Sequence, residues 1–150
     1  MFGGYFNDPV RTAEAVDAEG WLHTGDLASR DADGAYRICG RKKDMFISGG
    51  ENVFPGEVEA ALSECPGVAE AVVVGVPDEK WGEIGRAFVV PRDGESVTAE
   101  HVVAFARRRL AGYKVPKSVI VVPELPRLGS GKADRATLKS ADPLLAASAR

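Results

Sequence analysis

Residues 54–91, "FPGEVEAALSECPGVAEAVVVGVPDEKWGEIGRAFVVP", decide the fold. Pro55 stands where a helix opens, because its fixed φ suits the first helical turn and its missing N–H is not needed there. Val58, Ala61 and Leu62 then recur at helical spacing and give that segment one apolar face. Past Cys65-Pro66-Gly67 the pattern changes. Ala69–Val76 is a valine-rich run too short for a second helix, and Ala87–Val90 is another, so both read as buried strands. One helix followed by two such strands is the seed of an α/β layer.

The same alternation extends outward. Met45–Ser48 reads as a short strand before the helix. Thr98 is a good N-cap for a helix running to Leu110, with Val102, Val103, Phe105, Ala106 and Leu110 on one side and Gly112 ending it. Val119–Val122 is a third valine-rich strand, and Arg135–Lys139 a last helical turn. Strands and helices alternating over about 100 residues predict an α/β (α+β) fold, a compact two-layer small domain whose small three-stranded sheet is covered by helices. Upstream the pieces are shorter. Thr12–Val16 is at most a brief helix after Pro9, Trp21–Leu27 is extended, and Asp33-Gly34 closes a hairpin into a strand at Ala35–Cys39. The character changes near residue 43, dividing the chain into a β-rich segment 1–42 and a domain 43–150. The tail, Ala141–Arg150, reads as frayed.

Composition excludes several classes. The 150 residues carry a net charge of -3 with 27% charged side chains, which leaves no electrostatic footprint for nucleic acid. Cys39 and Cys65 have neither disulfide nor zinc spacing and read as small core residues, with only His23 and His101 as further soft ligands. No stretch approaches the roughly 20 apolar residues of a membrane span. The start, MFGGYFNDP, lacks the charged and apolar regions of a signal peptide. The expectation is a cytoplasmic, reduced protein.

Three clusters carry chemistry. "LPRLGSGK" (125–132) puts Lys132 after Gly129-Ser130-Gly131. A phosphate loop would need Gly at 126 and Ser or Thr at 133, where Pro126 and Ala133 stand, so that reading fails. What survives is a long cation on a glycine loop with Arg135 three residues on, suited to a phosphate or carboxylate that is approached and released. A solvated surface lysine is the commoner reading of the loop alone. "GRKKDMFISGGENVFPGEVE" (40–59) places four charges, Arg41–Asp44, at the domain boundary, as an exposed hinge requires. Its Ser48-Gly49-Gly50 is either a turn whose backbone approaches a ligand closely or a tight strand-to-helix turn. In "GWLHTGDL" (20–27), Asp26 could accept hydrogen bonds from a diol, although a turn cap is the simpler reading.

In order and wording these motifs, with "GYFNDPVRTAEAV", "VGVPDEKWGE" and "LAGYKVPKSV", resemble the adenylate-forming superfamily, and within it the acyl-CoA synthetases (fatty-acid or aryl-acid CoA ligases). "ISGGENVFPGEVE" with "PDEKWGE" looks like a CoA ligase rather than a peptide-synthetase adenylation domain or a luciferase. The resemblance covers nearly the whole chain and implies roles. Asp26 matches the aspartate that holds the ribose hydroxyls of ATP and the acyl-adenylate, and Arg41 an arginine near the same nucleotide. Lys43 matches the hinge of the small domain. Ser48, Gly49 and Gly50 match the loop lining the pantetheine channel for coenzyme A (CoA). Lys132 matches the lysine that contacts the α-phosphate and the attacking carboxylate, its glycines letting the cation arrive and leave. Trp81, Gly82 and Glu83 match the family wording, and a packed loop is expected for them.

The implied reaction joins a carboxylic acid to CoA with ATP and Mg²⁺, through an acyl-adenylate. The family's phosphate loop, adenine site and acyl pocket lie in a large amino-terminal adenylation domain, of which residues 1–42 resemble the last strands and 43–150 the mobile carboxy-terminal domain. ATP and Mg²⁺ would then be held mainly by that large domain, and the chain would be inactive by itself. Phe2, Tyr5, Phe6 and Trp21 would lack their usual cover, which invites self-association. The alternative is a stand-alone binding module that docks on a separate adenylation domain.

Overall fold

A computed structural model describes residues 2–140, so the expected fraying of Ala141–Arg150 lies outside the described residues. The chain forms two compact units, Met1–Lys43 and Asp44–Arg150.

The first unit holds helix α1 (Pro9–Ala15) and strands β1 (Asp26–Arg30) and β2 (Tyr36–Arg41). Asp8 caps α1 by accepting the Arg11 N–H at 2.9 Å, and Pro9 stands at its first turn. The two strands pair antiparallel from Asp26↔Arg41 to Arg30↔Tyr36. Their turn is tied by Asp31, whose carboxylate accepts the N–H groups of Asp33 and Ala35 while Gly34 takes φ +87°. No α1 side chain is buried. Phe6 is 94% exposed, Trp21 71% and Tyr36 72%, an apolar surface that a free small domain would not be expected to carry.

The second unit is a five-stranded mixed sheet. Strands β3 (Phe46–Ser48), β4 (Glu51–Val53), β5 (Val68–Asp78), β6 (Gly82–Pro91) and β7 (Ser118–Val121) run in the order β4-β3-β6-β5, with β7 also against β6. The β5–β6 hairpin is its spine, antiparallel from Val68↔Pro91 to Asp78↔Gly82. Along its other edge β6 meets β3 at Ser48↔Gly82 and β7, parallel, over Arg86–Val89. The α/β class holds, and two strands join the three valine-rich ones. Residues 51–53 are too few and too polar to announce β4. Polar residues at 83 and 86 hide the first half of β6, so Gly82 and Glu83 are strand rather than packed loop.

The valine run of β5 reads as continuous because both faces are covered. One face packs on α2 (Pro55–Ser63) and α3 (Ala99–Arg107) through Val58, Leu62, Val73, Ala87, Val102 and Phe105. The other holds Val72, Val74, Val76 and Phe88 under Ile120, Leu125 and Leu138, the last from α4 (Arg135–Ser140). Thr98 caps α3 by accepting the His101 N–H at 3.2 Å. Gly75 and Gly85 face each other across the hairpin because Phe46 fills the notch they leave: a Cβ at Gly75 would lie 2.4 Å from the Phe46 Cβ. Among the described residues no helix is long and apolar enough to cross a membrane.

Candidate functional site

Asp26 opens β1 and Arg41 closes β2, so the hairpin register places them opposite each other. Arg41 Nε donates to Asp26 Oδ1 at 2.8 Å, and both side chains keep solvent access. The two residues that the resemblance assigned to one nucleotide are therefore a cross-strand pair. Upstream, Asp17 accepts the N–H groups of Trp21 and Glu19 and contacts His23 Nε2 at 2.9 Å. The Trp21 N–H, with His23, holds the Asp17 carboxyl below its ordinary pKa. Thr24 Oγ1 accepts the Asp26 N–H at 3.1 Å.

Lys43 sits in a short 3-10 turn, Lys42–Asp44, where the chain passes from the first unit to the second. Lys42 N–H is tied to the Gly25 carbonyl at 2.8 Å, so the first unit keeps its structure up to the residue before Lys43.

Ser48-Gly49-Gly50 is a two-residue β-hairpin turn joining β3 to β4, rather than the strand-to-helix turn left open from composition. Gly49 (φ +60°) and Gly50 (φ +88°) both take the left-handed region, as the favoured tight hairpin turn demands. Ser48 follows Phe46 at the two-residue period, so it points to the same face; it is 1% exposed, and its hydroxyl has no partner among the described residues. What the turn offers a ligand is the Gly49-Gly50 backbone. Trp81 fixes that turn. Its carbonyl accepts the Gly49 N–H at 2.9 Å, and a Cβ at Gly49 would lie 2.8 Å from its ring. Lys80 and Lys117 place their ammonium groups 5.1 and 5.5 Å from the Trp81 ring centre. Glu83 Oε2 accepts the Ile47 N–H at 3.1 Å, stitching β3 to β6 where only one ladder pair joins them. Sequence reading left Trp81 and Glu83 without a role; their partners lie more than thirty residues away and no local pattern shows them.

Lys132 is exposed on a closed loop. Arg127 pairs with Ala133 as an isolated bridge, Leu128 N–H donates to the Lys132 carbonyl at 2.8 Å, and Gly131 N–H to the Leu128 carbonyl at 2.8 Å. Gly131 (φ +80°) supplies the left-handed step, and the glycines serve this turn rather than loosening the loop. Arg135 is not a second cation for the same ligand. Its guanidinium donates to the Val73 carbonyl at 2.7 Å and to Glu59 Oε2 at 2.9 Å.

Lys132 and the Gly49-Gly50 turn belong to opposite ends of the sheet. Arg127, beside the lysine loop, pairs with Glu70, while Ser48 meets Gly82 opposite Asp78. The β5 stretch from Glu70 to Asp78 spans about 25 Å at roughly 3.3 Å per residue. No group of three His, Cys, Asp or Glu side chains among the described residues is placed to hold a metal.

Residues 57–132 match the AMP-binding enzyme C-terminal domain family. Over 136 residues the chain is 53% identical to a 3-[(3aS,4S,7aS)-7a-methyl-1,5-dioxo-octahydro-1H-inden-4-yl]propanoyl:CoA ligase of Rhodococcus jostii, covering 91% of this chain and 26% of that protein. It is 52% identical over 129 residues to a feruloyl-CoA synthase of Amycolatopsis, covering 86% of this chain and 26% of that one. The o-succinylbenzoate CoA synthetase of Bacillus subtilis, solved with its acyl-adenylate intermediate, superposes with a TM-score of 0.85 at 40% identity, over 93% of this chain and 28% of that one. The chain thus spans about a quarter of the length of these relatives.

Proposed function

Because this chain belongs to the AMP-binding enzyme C-terminal domain family, we propose that it supplies the carboxy-terminal part of an ATP-dependent acyl-CoA ligase. Its residues 1–43 then complete a large adenylation domain, and residues 44–150 are the part that moves. The overall reaction activates a carboxylate with ATP to an acyl-adenylate, releasing pyrophosphate, and CoA thiol then displaces AMP. The observation that carries this reading is the separation of Lys132 from the Gly49-Gly50 turn at opposite ends of one rigid sheet. One end suits each half-reaction, and a rotation at Lys43 exchanges them.

In the first half-reaction the Lys132 ammonium stabilises the negative charge shared by the α-phosphate and the incoming carboxylate. Loss of one such preorganised donor typically costs about 10²–10³ in rate. Asp26 accepts hydrogen bonds from the ribose hydroxyls while Arg41, bonded to its Oδ1, keeps the carboxylate aimed. Because the Lys132 loop is closed by backbone bonds, the lysine travels with the whole second unit rather than on a slack tether. In the second half-reaction the Gly49-Gly50 backbone lies along the pantetheine arm, where a side chain would block it. Mg²⁺ accompanies ATP on the large domain; among the described residues no acidic groups form a ligand set for it, and no step here runs through it. The exposed Phe6, Trp21 and Tyr36 are the surface that the large domain covers.

The test compares the chain alone with the chain joined behind the large domain of a close relative, such as the feruloyl-CoA synthase. The joined protein forms acyl-CoA from ATP, CoA and the relative's acid, and the chain alone does not. Turnover by the isolated chain, or a correctly folded joined protein without activity, contradicts the reading.

A further inference from the structure

The loop bearing Lys132 is fastened at both legs to the same stretch of β5, and by the same chemistry. On the incoming leg Arg127 Nη1 donates to the Gly131 carbonyl at 3.0 Å while its Nη2 reaches Glu70 at 2.5 Å. On the outgoing leg Arg135 donates to the Val73 carbonyl, and Glu59, which holds the same guanidinium, also accepts the Val73 N–H at 2.7 Å. Val73 lies on the free edge of the sheet, so Glu59 and Arg135 occupy the donor and acceptor that an edge strand leaves open. The Arg135 site is half-buried, where a charged pair retains more of its attraction than it would in water. A planar guanidinium can hold a carboxylate and a carbonyl together, which an ammonium cannot do in a fixed plane.

We propose that Arg127 and Arg135 are positioning residues for Lys132: two arginine rivets, to Glu70 and to Glu59 with Val73, that fix where the lysine ammonium is presented in the first half-reaction. The proposal rests on the ligase reading above for what Lys132 does, and on geometry alone for how the loop is held. Neither arginine touches substrate. Each acts through the loop; Arg127 is held near the end of the sheet away from the Gly49-Gly50 turn, and Arg135 at Val73, midway along β5 and clear of that turn. Their loss therefore weakens adenylation and leaves transfer to CoA intact, a split that general destabilisation does not produce.

The experiment takes Arg135→Met, Arg127→Met and, as the charge-neutral change on the partner, Glu59→Gln. In the 150-residue chain, amide hydrogen exchange is followed at Leu128 and Gly131, whose N–H groups close the loop, and at Phe88 in the central ladder. The expected result is exchange at least about tenfold faster in the loop with Phe88 unchanged. In the joined protein, ATP–pyrophosphate exchange falls about 10- to 100-fold, the scale of a small misplacement of a reacting group, and turnover of preformed acyl-adenylate with CoA is unchanged. Arg135→Lys does not restore the exchange, because the fork is lost.

Equal acceleration at Phe88, or equal loss in both half-reactions, shows a purely structural role and overturns the proposal. So does a loop whose protection survives both arginine changes. Lys132→Ala run alongside separates the two claims: if it leaves pyrophosphate exchange intact, the ligase reading fails, and if it abolishes exchange while Arg135→Met does not reduce it, the positioning proposal fails.

Discussion

Gly75→Ala and Gly85→Ala look like equivalent changes, since the two glycines face each other across the β5–β6 hairpin and both make room for Phe46. Their costs should differ widely. A Cβ on Gly75 would stand 2.4 Å from the Phe46 Cβ and 2.7 Å from its Cγ, whereas carbon atoms rest about 3.5–4.0 Å apart. The Phe46 Cβ is fixed to the β3 backbone, so no rotamer of Phe46 relieves the 2.4 Å overlap and one strand must shift by about 1 Å. Overpacking of a close-packed core costs about 1–3 kcal/mol, and Gly75→Ala belongs at about 3. A Cβ on Gly85 is crowded by the Phe46 Cζ, at 3.1 Å, and meets Val73 Cγ1 and Pro116 Cα at ordinary contact distances of 3.6 and 3.7 Å. The far end of the ring can swing, and the cost is about 1 kcal/mol or less. The assay is urea unfolding of the second unit followed by Trp81 fluorescence in a Trp21→Phe background. Phe46→Leu, which removes the end of the ring, rescues Gly85→Ala and not Gly75→Ala. A Gly75→Ala protein within about 0.5 kcal/mol of the parent, or one less affected than Gly85→Ala, refutes the packing argument.

Two further outcomes follow from the same structure. Cys65 is 1% exposed and burial pushes its thiol above the ordinary value, while Cys39 keeps solvent access; iodoacetamide should modify one thiol in the native chain, Cys39, and both after unfolding, and native labelling of Cys65 would contradict the core assignment. Asp134 caps α4 through the N–H and hydroxyl of Thr137 and the N–H of Ala136, which hold its carboxyl below the ordinary aspartate value. A depressed carboxyl stabilises the fold above its unfolded pKa and stops doing so as pH falls through the folded value. Asp134→Ala is thus less stable than the parent near pH 6, with the difference closing below pH ~4 in acid titrations read by circular dichroism, and a gap that persists to pH 2 would sink the cap.

How far the sequence carried this account depended on whether each signal was local. Pro55, Thr98 and the valine run of β5 are local, and α2, α3 and β5 begin within a residue of where the sequence places them, although α3 ends at Arg107, three residues short of the expected Leu110. The inward turn of Ser48, which the sequence places only within a ligand-lining turn with Gly49 and Gly50, comes from the structure, where it lies two residues beyond Phe46 on the same strand face. The reading of a slack loop at Lys132 came from glycine content, and content does not reveal which backbone groups pair; Leu128 and Lys132 close the loop between themselves. Arg135 was grouped with Lys132 because it is three residues away, but its partners Val73 and Glu59 are distant in sequence and nearby only in the fold. The pairing of Asp26 with Arg41 needed the hairpin register, which the turn at Asp33-Gly34 sets.

Lys132 and the Gly49-Gly50 turn, at the two ends of the second unit, are assigned here to different half-reactions. The measurement that tests this assignment most directly is a pair of rates in the joined protein, ATP–pyrophosphate exchange and CoA-dependent consumption of preformed acyl-adenylate, for Lys132→Ala and Gly50→Val. The account predicts that Lys132→Ala loses about 10²–10³ in the first and little in the second, and that Gly50→Val does the reverse. Loss of both rates in either variant would contradict it.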